Sequence, residues 1–486
     1  MARGQPQTEH LLRRAGFGAT AEDYVLFDSM SSSQAVDYLI EFERQPDDVD
    51  EKIGQAAYVG VATRGGAFAP ATNIEDARQR WLFRMVHSRR PLQEKMALFW
   101  HNHFATAYSK VSGAVGPIHG TKMFSLKNGE LPGPGGQLDL FRTFALGNFR
   151  DLLTEVAKNP AMIYWLDQNT NTRQRPQENF GREVMELFTF GIGNYTEQDV
   201  YAAARVFTGW NVRLVGNNND QTTAYYEFVF NANQHEPAAK DFTFPIYPNG
   251  SRTIPARAAA DGLQDGIDLL SALARHPNTA RRMAARLWNF FVSEQDPPDP
   301  DFVNTVATIW VQNDTNLKPV MRYVLDSPYF NDPAVRYTRY SWPAEFVARA
   351  IKETGWNGFS VDAARTPLTS MGQTLFEPPD VNGWKLGQGW FSTGSMLARM
   401  NFASTLAFNQ RFNLGRDAQV ARTSPESLVS LFLGRMSPAS YDSAPYNSLV
   451  NYLRTGATWP PSDTVLTNKA AGLARLIVGS SEYQFM

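Results

Sequence analysis

Cysteine is absent from all 486 residues. Its absence excludes disulfides, Cys-ligated zinc, iron–sulfur clusters and thiol nucleophiles. It is compatible with an oxidising compartment without demonstrating one. Charge of one sign is also missing: 46 Lys and Arg stand against 48 Asp and Glu, a net charge of −2. So balanced a chain lacks the basic footprint of a nucleic-acid binder. No apolar run reaches the length of a membrane span. Residues 1–21 carry charges but no apolar core, so no signal peptide is visible there. The expectation is a cytoplasmic protein, or a mature form with a new initiator Met. Internal repeats and low-complexity tracts are lacking, as are a Walker loop, a dinucleotide fingerprint and a Ser-His-Asp order.

What is present is a chain that is 43% hydrophobic and 13% aromatic, ample for a large core. Apolar spacing of three and four predicts helices over 75–87, 91–104, 149–158, 161–166, 178–190 and 197–208. The same spacing continues over 257–275, 278–292, 302–312, 319–325, 343–354, 396–409 and 469–478. The fold class is therefore mainly α, read as one large multi-helix domain over 1–486. Two segments break the pattern. Residues 113–147, rich in Gly and Pro, read as a long loop. Residues 211–255 read as an insertion in which 222–230 pairs with 240–245 as a small β-hairpin. Arg78, Arg80, Arg84, Arg89 and Arg90 read as the solvated face of a helix.

The most informative segment is QENFGREVMELFTFGIGNYTEQDVYAAARVFTGW, from Gln177 to Trp210. On a helical projection Phe180, Val184, Leu187 and Phe190 form an apolar arc, and Glu183 falls inside it. Asn179 and Glu186 lie at its edge. A buried carboxylate costs several kcal/mol unless it is paired or holds a cation. The structural alternative pairs Glu183 with a buried arginine, for instance Arg205, and Arg182 with Glu186. The functional alternative makes Glu183 a metal ligand or general base. Gly191 and Gly193 then end the helix, and Thr196 caps the next, with Glu197 and Asp199 in its first turn.

Seven histidines are present, and His101 and His103 stand together in FWHNHF. On a continuous helix their side chains diverge by about 200°. His103 continues the inward stripe and His101 faces out, so a shared metal requires the helix to distort near Trp100. His235 follows the predicted strand in NQHEP. His10 reads as packing or capping. The rigid stretch FEPPDVNGWKLGQGW carries Trp384 and Trp390. They either line a cleft for stacking on sugar or peptide, or anchor a loop over the core.

The pieces HLLRRAGFG, LQEKMALFWHNHFAT, ENFGREVMELFTFGIGNYTEQDV, ARVFTGW, EPPDVNGW and LARMNFA run in order from His10 onward. Together they resemble a bacterial family of proteins of unknown function, numbered 1800. The resemblance implies a mainly helical, often exported protein, periplasmic or extracellular. It also implies a partner resembling sulfatases and phosphatases. One position departs from the family's pattern: Phe188 stands where the family commonly has histidine, and the projection turns this position away from Glu183.

Two readings follow. In the first, His101, His103, His235 and Glu183 hold a divalent transition metal (Zn, Mn, Fe or Cu). Glu186 and Glu178 with Arg182 then supply catalytic groups, and Trp384, Trp390, Trp210 and Asn179 bind substrate. Redox chemistry is slightly preferred over hydrolysis, on a cell-envelope polymer. In the second, the chain is a non-catalytic binder of glycan or protein, with Glu183 a structural carboxylate.

Overall fold

The computed structural model describes residues 5–63, 66–436 and 443–486. Among them are 24 α-helices and two antiparallel two-stranded sheets. Local chemistry fixes many helix starts. Proline occupies the first turn at Pro91, Pro117, Pro160, Pro277, Pro300 and Pro343. Its missing N–H would have no intrahelical partner there. Thr20 with Asp23, Ser31 with Gln34 and Thr196 with Asp199 form capping boxes. Apolar side chains from Leu11 to Tyr483 pack into one continuous core.

The expected helices are present, with shifted ends. The 178–190 prediction is shortened to Glu178–Glu186, and 278–292 divides into the helix Pro277–Leu287 and a π-turn, Trp288–Val292. The long loop expected over 113–147 is not a loop. Helices Tyr108–Val115, Pro117–Ser125 and Gln137–Thr143 occupy most of it. Here Gly and Pro mark boundaries instead of disorder. Gly116, at φ 88°, ends one helix and Pro117 starts the next. A Cβ at Gly120 would come within 2.9 Å of Ser112, so a glycine is what lets these two helices lie close.

The hairpin exists, with a different partner. Strand β1 (Trp210–Val215) pairs with β2 (Tyr225–Phe230), Trp210 opposite Phe230 and Val215 opposite Tyr225. Lys240 and Asp241 form β3, which pairs with β4 (Thr253–Ile254). β1 precedes the turn residues Gly216–Asp220, and the sequence reading assigned it to the insertion without weighing its alternation.

The arginine face of the helix Ile74–His87 is not solvated either. Arg80 and Arg84 are buried. Arg80 pairs with Glu130 at 2.9 Å and donates to the Ser125 carbonyl. Arg84 pairs with Asp50 and lies 3.5 Å from Asp47. A long, flexible cation can be drawn inside where carboxylates from distant segments meet it, which spacing alone does not show.

Candidate functional site

Two motifs expected to carry chemistry interlock with each other. The helix Pro91–His103 continues unbroken through FWHNH, so His101 and His103 point apart. His101 does not face out. The 376–390 segment covers it, and its Nε2 accepts the N–H of Phe376 at 3.1 Å. Its ring packs on Trp81, Phe376 and Trp384 at 5.3–5.7 Å between centroids. Asn102 Oδ1 accepts the N–H of Trp384 at 2.8 Å, and Gly383 (φ 82°) lies so close to Asn102 that no side chain fits. Burial pushes the His101 imidazole down to about 3. It is therefore neutral, with Nε2 free to accept.

His103 faces another way. Its Nε2 donates to the Phe188 carbonyl at 3.1 Å, while Nδ1 has no partner among the described residues. Burial and the nearby Arg286 and Arg282 hold its pKa well below the ordinary value. Position 188, which the helical projection turned away from Glu183, packs toward His103. The helix has already ended at Glu186, and the Phe188 ring lies 6.3 Å from His103 and 5.2 Å from Phe104. An aromatic hydrocarbon thus stands where a second ligand to His103 would be needed.

His235 is sealed in a third place. Nδ1 faces the Thr208 carbonyl at 2.9 Å and Nε2 faces Asp265 at 3.2 Å. Asp265 also takes Lys240 and Arg257. Gly262 abuts the His235 ring and Gly266 abuts Trp210, so both glycines exist to make room. His101, His103, His235 and Glu183 are not one cluster. Among the described residues no three His, Asp or Glu side chains are grouped to hold a metal ion. The residues proposed as a mixed His/carboxylate centre do not fit a shared metal as they are placed.

The tryptophans named for substrate stacking are interior. Trp210 is fully buried, and Trp384 and Trp390 retain 5% and 3% exposure. Trp390 lies 5.9 Å from Trp342. They anchor the Gly/Pro-rich loop over the core.

What remains accessible is the carboxylate helix, Glu178–Glu186. Its buried face is Phe180, Gly181, Val184 and Met185. Gly181 lets it approach Ala203 of the following helix, Glu197–Val206. The glycine corner matches expectation: Gly191 and Gly193 adopt φ of 87° and 86°, and Thr196 caps with Asp199. The ion pairs differ from expectation. Arg182 pairs with Glu178 at 3.3 Å and Glu197 at 2.8 Å, not with Glu186. Arg205 reaches the Ala239 carbonyl and Glu236, not Glu183. The Tyr195 hydroxyl donates to Glu186. Asn179, exposed, donates to Asp167 at 3.2 Å.

Glu183 is half-buried, and its carboxylate makes no hydrogen bond or ion pair among the described residues. Burial, and then repulsion by Glu186 one turn along, raise it to about 7, with Arg182 opposing. Tyr195 is pushed up to about 12 by burial and by Glu186. The pair is thus an acid that holds its proton near neutrality beside a carboxylate steadied by a phenol. Beyond it lie Arg282, whose guanidinium donates to the carbonyls of Leu187 and Thr189, and Arg286. Sequence reasoning missed Tyr195, Arg282 and Arg286. For the arginines the signal was the i, i+4 spacing of Arg282 and Arg286 in TARRMAARLWN.

Fold and site define a mainly helical protein that carries a partly exposed carboxylate pair at a helix–helix corner. The chain belongs to the family described as protein of unknown function (DUF1800), whose model matches residues 10–485. No curated protein and no solved structure matches it.

Proposed function

We propose that this protein is an acid–base hydrolase whose working groups are Glu183 and Glu186. The observation that supports the reading is an unpartnered, half-buried Glu183 carboxylate one helical turn from a Glu186 held by Tyr195. A carboxylate with no close ion pair, and only the field of Arg182 acting on it, is not serving as the buried ion pair that was the main alternative. Two carboxyl groups in different surroundings are the means by which one site runs acid and base steps together.

In the proposed reaction Glu183 is protonated and gives its proton to the leaving oxygen or nitrogen as the scissile bond breaks. Glu186 takes a proton from the attacking water, whose oxygen forms the new bond. Proton exchange with solvent then resets the pair. Arg182 and Glu178 fix the first turn of the helix and keep the two carboxyl groups on one side. The exposed neighbours Asn179, Glu197, Ile192 and Tyr201 offer a broad rim, which suits a polymer lying across the site. We place the substrate among cell-envelope or extracellular polymers on the same ground and on the family's implied export.

The test is turnover on a panel of polysaccharides, polysaccharide esters and peptides, with products read by mass spectrometry. Wild type should hydrolyse one class. Glu183→Gln and Glu186→Gln should each lose on the order of 100-fold or more, the scale of a lost general acid or base. Both should unfold at or above the wild-type temperature. Turnover untouched by either substitution, or none across the panel, overturns the proposal.

A further inference from the structure

Beside the carboxylate pair runs a stripe of polar side chains that makes no ion pair among the described residues. Arg282 and Arg286 are one turn apart on Pro277–Leu287, and Asn289 follows on the π-turn Trp288–Val292. Arg282 and Arg286, at i and i+4, share one face, and Asn289 follows within one turn of Arg286. All three are half-buried. Arg282 leans on Gly191, 3.2 Å from where a Cβ would be, and reaches two backbone carbonyls. Arg286 makes no hydrogen bond or ion pair among the described residues, and neither does the Asn289 side chain. The one carboxylate acting on this stripe is Glu186, and it acts on Arg282. The charge nearest Arg286 is therefore a second arginine.

Like charges at i, i+4 oppose the helix slightly, and a partly desolvated cation without a partner costs more. A bare arginine side chain often extends its head to water. Here the side chain is half-buried, beside Arg282 and near the buried His103, and burial holds the guanidinium down at about 9. A guanidinium fork matches an oxyanion in two parallel hydrogen bonds.

We infer that Arg286, with Arg282 and Asn289, binds an oxyanion carried by the substrate, a sulfate, phosphate or carboxylate group. This rests on the acid–base reading only for its role: the anion would seat the substrate with its scissile bond toward Glu186. Binding itself requires no turnover, so the two ideas fail separately.

The experiment is thermal unfolding and calorimetric titration with inorganic sulfate, inorganic phosphate and acetate at constant ionic strength. Wild type should be stabilised by at least one of them. Arg286→Met should weaken that binding tenfold or more, and Arg286→Lys should weaken it less. The exposed Arg281→Met serves as a control for unspecific attraction and should bind as wild type does. Preference for sulfate and phosphate assigns a tetrahedral group; acetate binding as tightly assigns a carboxylate. No stabilisation of wild type by any of the three overturns the inference. So does equal binding by wild type and Arg286→Met, which would mark an adventitious ion only. If Glu183→Gln and Glu186→Gln prove catalytically silent while Arg286→Met still abolishes binding, the anion site stands and the acid–base reading falls.

Discussion

Glu183 shows how a single side chain reports on its surroundings. Its pKa is raised from 4.5 to about 7 because ionisation is opposed by burial and by Glu186. The folded state then binds a proton that the unfolded chain releases, so this residue's contribution to stability falls as pH rises from about 4.5 to about 7. Glu183→Gln removes the penalty. The substituted protein should melt higher than wild type near pH 8, and the gap should close near pH 5. Calorimetric scans at the two pH values check this. A gap that is constant with pH would mean that the carboxylate is ionised throughout. The sequence exposed this residue, because a carboxylate inside an apolar arc is visible on a projection. It did not expose the partners. Arg205, which seemed in reach, is turned toward Glu236. Tyr195 comes back to Glu186 only because Gly191 and Gly193 reverse the chain, a path that periodicity does not describe.

At the scale of elements, the two motifs FWHNHF and FEPPDVNGW are halves of one joint. His101 and Asn102 accept backbone N–H groups from Phe376 and Trp384, on a segment that proline and glycine keep from making its own ladder. His101→Phe leaves the Phe376 N–H buried without an acceptor and should cost about 1–3 kcal/mol. Urea denaturation with and without added zinc measures it. Zinc that stabilises wild type but not the variant would restore His101 as a ligand. Most helices were legible, because proline starts, capping boxes and three-four spacing are local. The helices inside 113–147 were not, since glycine there serves packing between helices. The interior position of Trp384 and Trp390 was one of the two readings of their loop, as its anchor over the core; that of Trp210 was not legible, since composition says that a tryptophan wants cover and is silent on what covers it. The histidines misled for a related reason. Their pattern resembles a metal site, yet each satisfies a different stretch of backbone or a carboxylate.

The whole molecule is held by charges as well as by its apolar core. Lys95, on the motif helix, pairs with Glu345 and donates to the Gly16 carbonyl at 2.9 Å. Arg339 pairs with the same Glu345 at 2.8 Å, and all three side chains are fully buried. Burial brings Lys95 down to about 7 against the pull of Glu345. Arg349 pairs with Glu353 at 3.0 Å and reaches the Phe485 carbonyl, while Arg399 reaches Gln484. Glu345→Gln leaves two cations without their counter-ion and should cost about 3–5 kcal/mol, read from the denaturation midpoint. A loss under 1 kcal/mol would show that the three charges are compensated from elsewhere.

That joint has a consequence for how the protein is made. The residues that cover His101 and Asn102 lie 275 and 282 positions later in the chain. On the ribosome the aromatic helix therefore emerges long before its cover is synthesised. Contacts of such separation form late and slowly. Until residues 376–384 arrive, Trp81 and His101 have no lid, and Lys95 waits for Glu345. A nascent or truncated chain would present this aromatic surface to chaperones and proteases. Closing the 376–390 loop then acts as proofreading: only a chain translated past residue 384 can bury both motifs.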